Sequence, residues 1–358
     1  MLAFALDQEL ALLLPLPVIY MANLAVDPDR SESTRRSFGR VIAACIGALA
    51  LALLLSAVAA LSSSPLYALI TLITALVVAS LSSVRTRFIC GALGMDPKNT
   101  LHALAAALTV LLLGTQLAAQ FAGNALAQEA RSGVALTPLA LLAQEVPFLL
   151  AALLGVGLLS RRGPRATAER LGWVRPTPSQ LALGLVAAIV FFGLGSGADW
   201  LSSRLTPDLA REVAAANGRL FGGLDSPLGI ATVALAAGVC EEALFRGALQ
   251  PRIGLVLTSL VFALLHSQYG LSIDTMAVFV LAIGLGLLRR FANTTTSTLT
   301  HVVYNTLVGV GGGLPLPIVA TAVLPLAALA WVARDRSGTH IGSDGRGKKG
   351  VGGRPGQD

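Results

Sequence analysis

The sequence predicts an all-α fold, a polytopic transmembrane helix bundle of about eleven spans. Three observations carry that expectation. Hydrophobic residues make up 54% of the 358-residue chain and charged residues 13%, about half the charged share of a soluble domain. Aromatics are only 5%, so the apolar content is mostly Leu, Ala and Val, and mean hydropathy is +0.74. The apolar residues are also gathered into long runs, and roughly 20 such residues cross a hydrocarbon core about 30 Å thick. The same figures exclude a secreted disulfide scaffold, a disordered chain and an ordinary cytosolic enzyme.

In chain order the runs are 10–26, 41–62, 65–84, 101–122, 134–160, 181–203, 228–250, 255–270, 273–290, 294–312 and 315–333. The first contains Pro15 and Pro17 and reads as a span or a signal-like segment; it has neither a basic leader nor a clear small-residue cleavage site. The run 255–270 is short, as in helices packed inside a bundle. Charge gives the orientation. With 27–40 in the cytoplasm and sides alternating, the segments 27–40, 85–100, 161–180, 246–254, 289–293 and the tail from 334 hold 22 of the 26 Lys and Arg residues. The opposite side holds Arg131, Arg204, Arg211 and Arg219. This positive-inside asymmetry places the C-terminus in the cytoplasm. The Gly-rich, basic tail 334–358 is expected to be disordered. The net charge of +7 belongs to these loops, so no nucleic-acid partner is implied. Arg over Lys in an Ala-rich chain suggests a GC-rich bacterial genome, hence a bacterial inner membrane. Cys45, Cys90 and Cys240 have no CxxC spacing, which implies neither a disulfide framework nor a zinc ribbon.

Ionisable residues inside spans are costly and mark function. Most of them fall on three successive runs: Glu241-Glu242 with Arg246, His266 with Phe262 four residues before it, and His301 with Asn305. At i,i+4 spacing Glu242 and Arg246 share a helix face and can pair. Glu241, about 100° around the helix, is left without a local partner and suits a general base. His301 and Asn305 also share a face, and an amide donor beside an imidazole suits stabilisation of an oxyanion. Glu241 lies 11 residues before Arg252, His301 lies 11 after Arg290 and His266 lies 14 after Arg252. At 1.5 Å per residue all three stand roughly 16 to 21 Å from basic markers on one side, a common depth.

EExxxR, FxxxH and HxxxN, in this order on successive hydrophobic segments, resemble the CPBP family of intramembrane proteases, the CAAX-protease and bacteriocin-processing group. The resemblance covers roughly residues 180–330 and divides the chain into N-terminal helices of unassigned role (1–160), a CAAX-protease-like catalytic membrane domain (181–333) and the tail (334–358). It implies an endopeptidase in which Glu241 and His266 activate the attacking water. His301 and Asn305 would stabilise the oxyanion, and Glu242, Arg246 and Phe262 would support the site. The implied partners are a protein or peptide substrate, lipidated in the family's eukaryotic branch, and membrane lipid. No cofactor is required on this reading, although Glu241, His266 and His301 could ligate zinc with one position left for water; the HExxH signature is absent.

Other readings are weaker. Gly193 to Asp199 approximates the rhomboid GxSG and presenilin GxGD patterns, but Leu194 and Ala198 interrupt them and no YD partner exists. Close packing at these glycines is expected instead, with Asp199 and Trp200 at the outer interface. Glu145, beside Pro147, reads as a polar contact at a proline kink or a residue on a substrate path. Thr294 to Thr298 form a hydroxyl-rich helix start able to satisfy backbone groups near His301. His102 and His340 are given no catalytic role. The rival class is a proton-coupled transporter, and a third reading is a proteolytically inactive membrane scaffold.

Overall fold

The computed structural model describes residues 13–311, apart from residues 93 and 133. The eleventh expected span, 315–333, the tail and His340 lie outside the described residues. The chain folds into α1 Pro15–Ala25, α2 Glu32–Ala60, α3 Pro65–Ser80, the short α4 Phe88–Ala92, α5 Thr100–Ala122, α6 Ala125–Ser132, α7 Pro138–Gly155, α8 Pro164–Leu171, α9 Pro178–Leu205, α10 Pro207–Phe221, α11 Pro227–Ile253, α12 Leu255–Leu265, α13 Ile273–Phe291 and α14 Thr294–Gly311. No named strand occurs among the described residues; an isolated bridge joins Leu158 and Arg162. By length and composition α2, α5, α7, α9 and α11 are able to cross a membrane, and α1, α3 and α12 are shorter apolar helices. The all-helical membrane fold holds, and the count of eleven spans is not established by these helices.

The helix starts follow from local chemistry. Ser64-Pro65, Thr137-Pro138, Thr177-Pro178, Thr206-Pro207 and Ser226-Pro227 each place Ser or Thr at the cap and Pro at the first position. There the missing N–H costs nothing and φ is already set. Thr177 goes further and forms a reciprocal capping box with Gln180. α2 begins nine residues before its apolar run because Ser31 accepts from the Thr34 amide at 3.3 Å and Glu32 pairs with Arg36 at 2.7 Å. Segments outside the expected runs are therefore partly helical: α6, α8 and α10 occupy them. One assignment needs correcting. Residues 246–254 are not a loop, because α11 continues to Ile253, and Arg246 is 1% exposed inside the bundle rather than a marker of its surface.

α2, α3 and α5 pack together with α1, and their core reaches Ile253 at the end of α11. α11 is the central helix. Of its apolar window 56% is buried, against 22% to 39% in the other four long helices. α7, α12 and α14 pack on it, and α9 and α13 pack on α14. Outward faces are apolar: Leu51, Leu55 and Val58 on α2 and Leu181, Leu194 and the aromatic Trp200 on α9 are exposed, as a lipid-facing surface requires. α11 and α14 meet at Gly238, where an added Cβ would stand 2.5 Å from Val302 Cγ2 and 3.1 Å from its backbone nitrogen. The absent side chain is what lets these two helices touch.

Candidate functional site

The site is built on a local departure from α-helical geometry. From Ala237 to Leu249, α11 is a π-helix, a form in which the backbone bonds run five residues rather than four and which recurs at functional sites. Periodicity in the sequence does not reveal it. This segment carries Glu241, Glu242 and Arg246, with exposures of 9%, 0% and 1%.

Glu242 is held on several sides. Arg246 Nη1 lies 3.2 Å from its Oε1, as the i,i+4 spacing implied. His301 Nδ1 on α14 lies 3.1 Å from the same oxygen, and Ser297, one turn earlier on α14, donates its hydroxyl to Oε2 and also reaches the Leu285 carbonyl at 3.2 Å. Arg246 donates in addition to the Ala282 carbonyl at 3.3 Å and lies over the Phe262 ring at 4.4 Å. A buried ion pair is tolerated when its lone pairs and protons are satisfied; the Glu242 oxygens are, whereas buried Arg246 Nη1 makes no hydrogen bond among the described residues beyond its 3.2 Å approach to Glu242.

Glu241 is treated differently. Its Oε2 is buried with no hydrogen-bond partner among the described residues, and it stands 3.8 Å from His301 Nε2. Because Nδ1 of that ring is engaged by Glu242, Nε2 is the nitrogen left to face the site. Two adjacent glutamates thus address the two nitrogens of one imidazole.

His266 does not sit within a span as expected. α12 ends at Leu265, and His266 caps it with φ −82° and ψ 62°, its Nδ1 lying 2.9 Å from the Phe262 carbonyl. Phe262 joins the parts of the site. Its centroid lies 4.8 Å from His266, 6.1 Å from His301 and 5.1 Å from Phe245. The turn after His266 is fixed from the N-terminal half: Gln120 on α5 donates to the Ser267 carbonyl at 3.2 Å, and Leu126 on α6 closes on Gly270. Asn305 lies half-buried one turn beyond His301.

Glu241, Glu242, Arg246, Phe262 and His301 are therefore brought together, with His266 attached through Phe262. Sequence reasoning missed Ser297, whose only signal was the hydroxyl-rich start of α14, and Gln120, which had none. Within that start Thr294 donates to the Leu171 carbonyl at 2.6 Å and Thr295 to that of Val174 at 2.8 Å, as expected, whereas Thr296 bonds the Asn293 side chain and the buried Thr298 Oγ1 has no hydrogen-bond partner among the described residues. Glu145 is buried on α7 with Oε2 unpartnered among the described residues. A Cβ added at Gly195 would stand 3.2 Å from the Tyr304 hydroxyl, whereas one at Gly193 or Gly197 would meet open space, so the expected close packing holds at Gly195 and not at the other two; Trp200 is 60% exposed. Among the described residues no group of three His, Cys, Asp or Glu side chains is arranged to hold an ion; Nδ1 of His266 and of His301 faces a protein oxygen, so Nε2 is the nitrogen through which either ring would ligate.

Residues 223–307 match the family model described as Type II CAAX prenyl endopeptidase Rce1-like. No curated protein and no solved structure matches the chain.

Proposed function

On the premise that its segment 223–307 belongs to the CPBP/CAAX protease family, we propose that this chain is an intramembrane endopeptidase whose reacting groups are Glu241, His266, His301 and Asn305. The carrying observation is the unequal treatment of two neighbouring carboxylates. Glu242 is saturated by Arg246, His301 and Ser297, whereas Glu241 keeps a buried oxygen without a partner, 3.8 Å from His301. A saturated carboxylate holds a structure, and an unsatisfied one beside an oriented imidazole is placed to act on water.

In the proposed reaction Glu241, aided by His266, takes a proton from water as the water oxygen attacks the carbonyl carbon of the scissile peptide. The oxyanion that forms accepts hydrogen bonds from the Nε2–H of protonated His301 and from the Asn305 amide. Collapse breaks the carbon–nitrogen bond, and the proton held by Glu241 passes to the departing amine. Arg246 and Glu242 fix the His301 ring through this sequence. The substrate is a polypeptide processed near its C-terminus in the CAAX manner, or a bacterial peptide matured by cleavage. With the buried Arg246 set aside, 21 of the other 25 Lys and Arg residues lie on one side, which supports a cytoplasmic C-terminus, and the composition supports a bacterial plasma membrane.

The test is cleavage by the purified full-length protein in liposomes, with a farnesylated peptide ending in a CAAX sequence and its unprenylated counterpart, products read by mass spectrometry. Release of the last three residues, lost in Glu241→Gln, is expected, and the two peptides report whether lipidation matters. Equal cleavage by Glu241→Gln overturns the assignment of the base. Proton-coupled flux without cleavage of either peptide overturns the protease reading in favour of a transporter. Metal analysis of the active preparation, with chelator-resistant turnover expected, checks that no ion is required.

A further inference from the structure

Five arginines outside the protease site converge at the end of the bundle where α11 terminates: Arg161 and Arg162 after α7, Arg170 on α8, Arg252 on the last turn of α11 and Arg289 on α13. All five are half-buried. Backbone and amide oxygens fix several of them. Asn23 Oδ1 accepts from Arg161 Nε and Nη2 at 3.2 and 2.7 Å, Val156 O accepts from Arg162, and Gly247 O accepts from Arg170 Nη1 at 3.3 Å. Arg289 lies against Gly172, directly after Arg170 and Leu171; a Cβ there would meet its Cζ at 2.7 Å. Its buried Nε has no partner among the described residues. Gly247 stands six residues beyond Glu241, so the cluster caps the helix that carries Glu241 and Glu242.

Counter-charge around them is sparse. None of the five makes an ion pair among the described residues; Asp27, which acts on Arg161, also pairs with Arg30 at 3.5 Å, and Glu169 pairs with Arg165 at 3.1 Å. The mutual repulsion is visible at Arg170, pushed down to about 10 from its ordinary value by burial and then by the fields of Arg252, Arg162, Arg289 and Arg161. Simple marking of one membrane face would be met by exposed, separated side chains such as Arg165, whose side chain is 94% exposed. Half-buried guanidiniums pressed together with donors left over form instead a receptor for an anion with several oxygens, since each carries five N–H groups in a planar fork suited to phosphate.

We propose that Arg161, Arg162, Arg170, Arg252 and Arg289 form a binding site for a phosphate group, either the headgroup of an anionic phospholipid or a soluble phosphate. The site is separate from the peptidase chemistry and stands whether or not that reading holds. The experiment is thermal unfolding of the purified full-length protein in a neutral detergent, titrated with phosphatidylglycerol, phosphatidylcholine or inorganic phosphate, to give an apparent Kd for each. Stabilisation by phosphatidylglycerol alone identifies the lipid source, and stabilisation by inorganic phosphate as well identifies the soluble one. Arg170→Gln or Arg252→Gln should each weaken binding about five-fold, the value of roughly one interfacial arginine. Arg165→Gln should leave it unchanged. Equal response to phosphatidylglycerol and phosphatidylcholine with none to phosphate overturns the proposal, as does an equal loss in Arg165→Gln, which would mean diffuse surface charge. If the Arg170 and Arg252 variants do not fold, the comparison of the three ligands on the unaltered protein still decides.

Discussion

Replacing Glu242 by Gln removes the charge that faces Arg246 at 3.2 Å, where the two side chains are 0% and 1% exposed. The amide oxygen can replace one carboxylate oxygen: set at Oε1 it still accepts from His301, while the amide NH2 faces Ser297, whose hydroxyl can accept from it and donate to the Leu285 carbonyl, so the shape of the site is kept. Arg246 is left with the Ala282 carbonyl at 3.3 Å and the face of Phe262 at 4.4 Å. Removing one partner of a buried pair costs about 3–5 kcal/mol, because the other charge stays buried and uncompensated, and in a chain of this size that lowers Tm by roughly 10 °C. Glu241→Gln, one residue away, should do the opposite. That carboxylate has an orphaned oxygen and only a 3.8 Å approach to His301, so stability should stay within about 1 kcal/mol of the parent. Cleavage should fall about 10²–10⁴-fold with loss of the base. The assay is thermal unfolding of both purified variants in detergent beside their rates of peptide cleavage. Glu242→Gln unfolding within about 2 °C of the parent, or Glu241→Gln retaining more than about a tenth of its rate, would refute the division of labour drawn here.

Three further outcomes are expected. Ser297→Ala removes a hydroxyl that donates to the buried Glu242 carboxylate and should cost about 1.5–3 kcal/mol, read as a drop in Tm and a smaller drop in turnover. Gly238→Ala drives a methyl group to 2.5 Å from Val302 Cγ2 and should cost about 1–3 kcal/mol by forcing α11 and α14 apart. Adding Val302→Ala should restore only part of this, since the Val302 nitrogen remains 3.1 Å away; full restoration would show that the backbones were not in contact. Phe262→Ala, which empties the space between His266, His301 and Arg246, should destabilise by about 3–5 kcal/mol. Phe262→Leu should keep most of the stability while lowering the cleavage rate.

The membrane fold was legible because composition alone decides the solvent in which a chain can fold. The pairing of Glu242 with Arg246 was legible because it is local, and the three histidine- and glutamate-bearing segments because charge in an apolar run stands out. Other features were present in the sequence but need tertiary structure to acquire meaning. The Thr206-Pro207 start of α10 is a local signal that a search for apolar runs passes over. Ser297 was one hydroxyl among several until α14 was placed against α11. His266 looked like a residue within a span because its neighbours are apolar, yet the turn Ser267–Tyr269 ends α12 just before it. The use of the N-terminal helices, through Gln120 and Leu126, depends on contacts between residues about 145 positions apart, which no local pattern encodes.

The π-helix explains how neighbouring glutamates can take different roles at one imidazole. In an α-helix consecutive side chains diverge by about 100°, which would turn Glu241 away from the face on which Glu242 meets His301. A helix bonded five residues back is wider and has more residues in each turn, so consecutive side chains diverge less. Within Ala237–Leu249 this narrower angle allows Glu242 to reach His301 Nδ1 at 3.1 Å while Glu241 lies 3.8 Å from Nε2. The same widening brings the backbone of α11 towards its neighbours, and Gly238 and Gly247 are where it approaches Val302 and Leu171. The departure from α-helical geometry, the two glycines and the paired carboxylates thus fall in one segment, Ala237–Leu249, which buries both glutamates at the same ring.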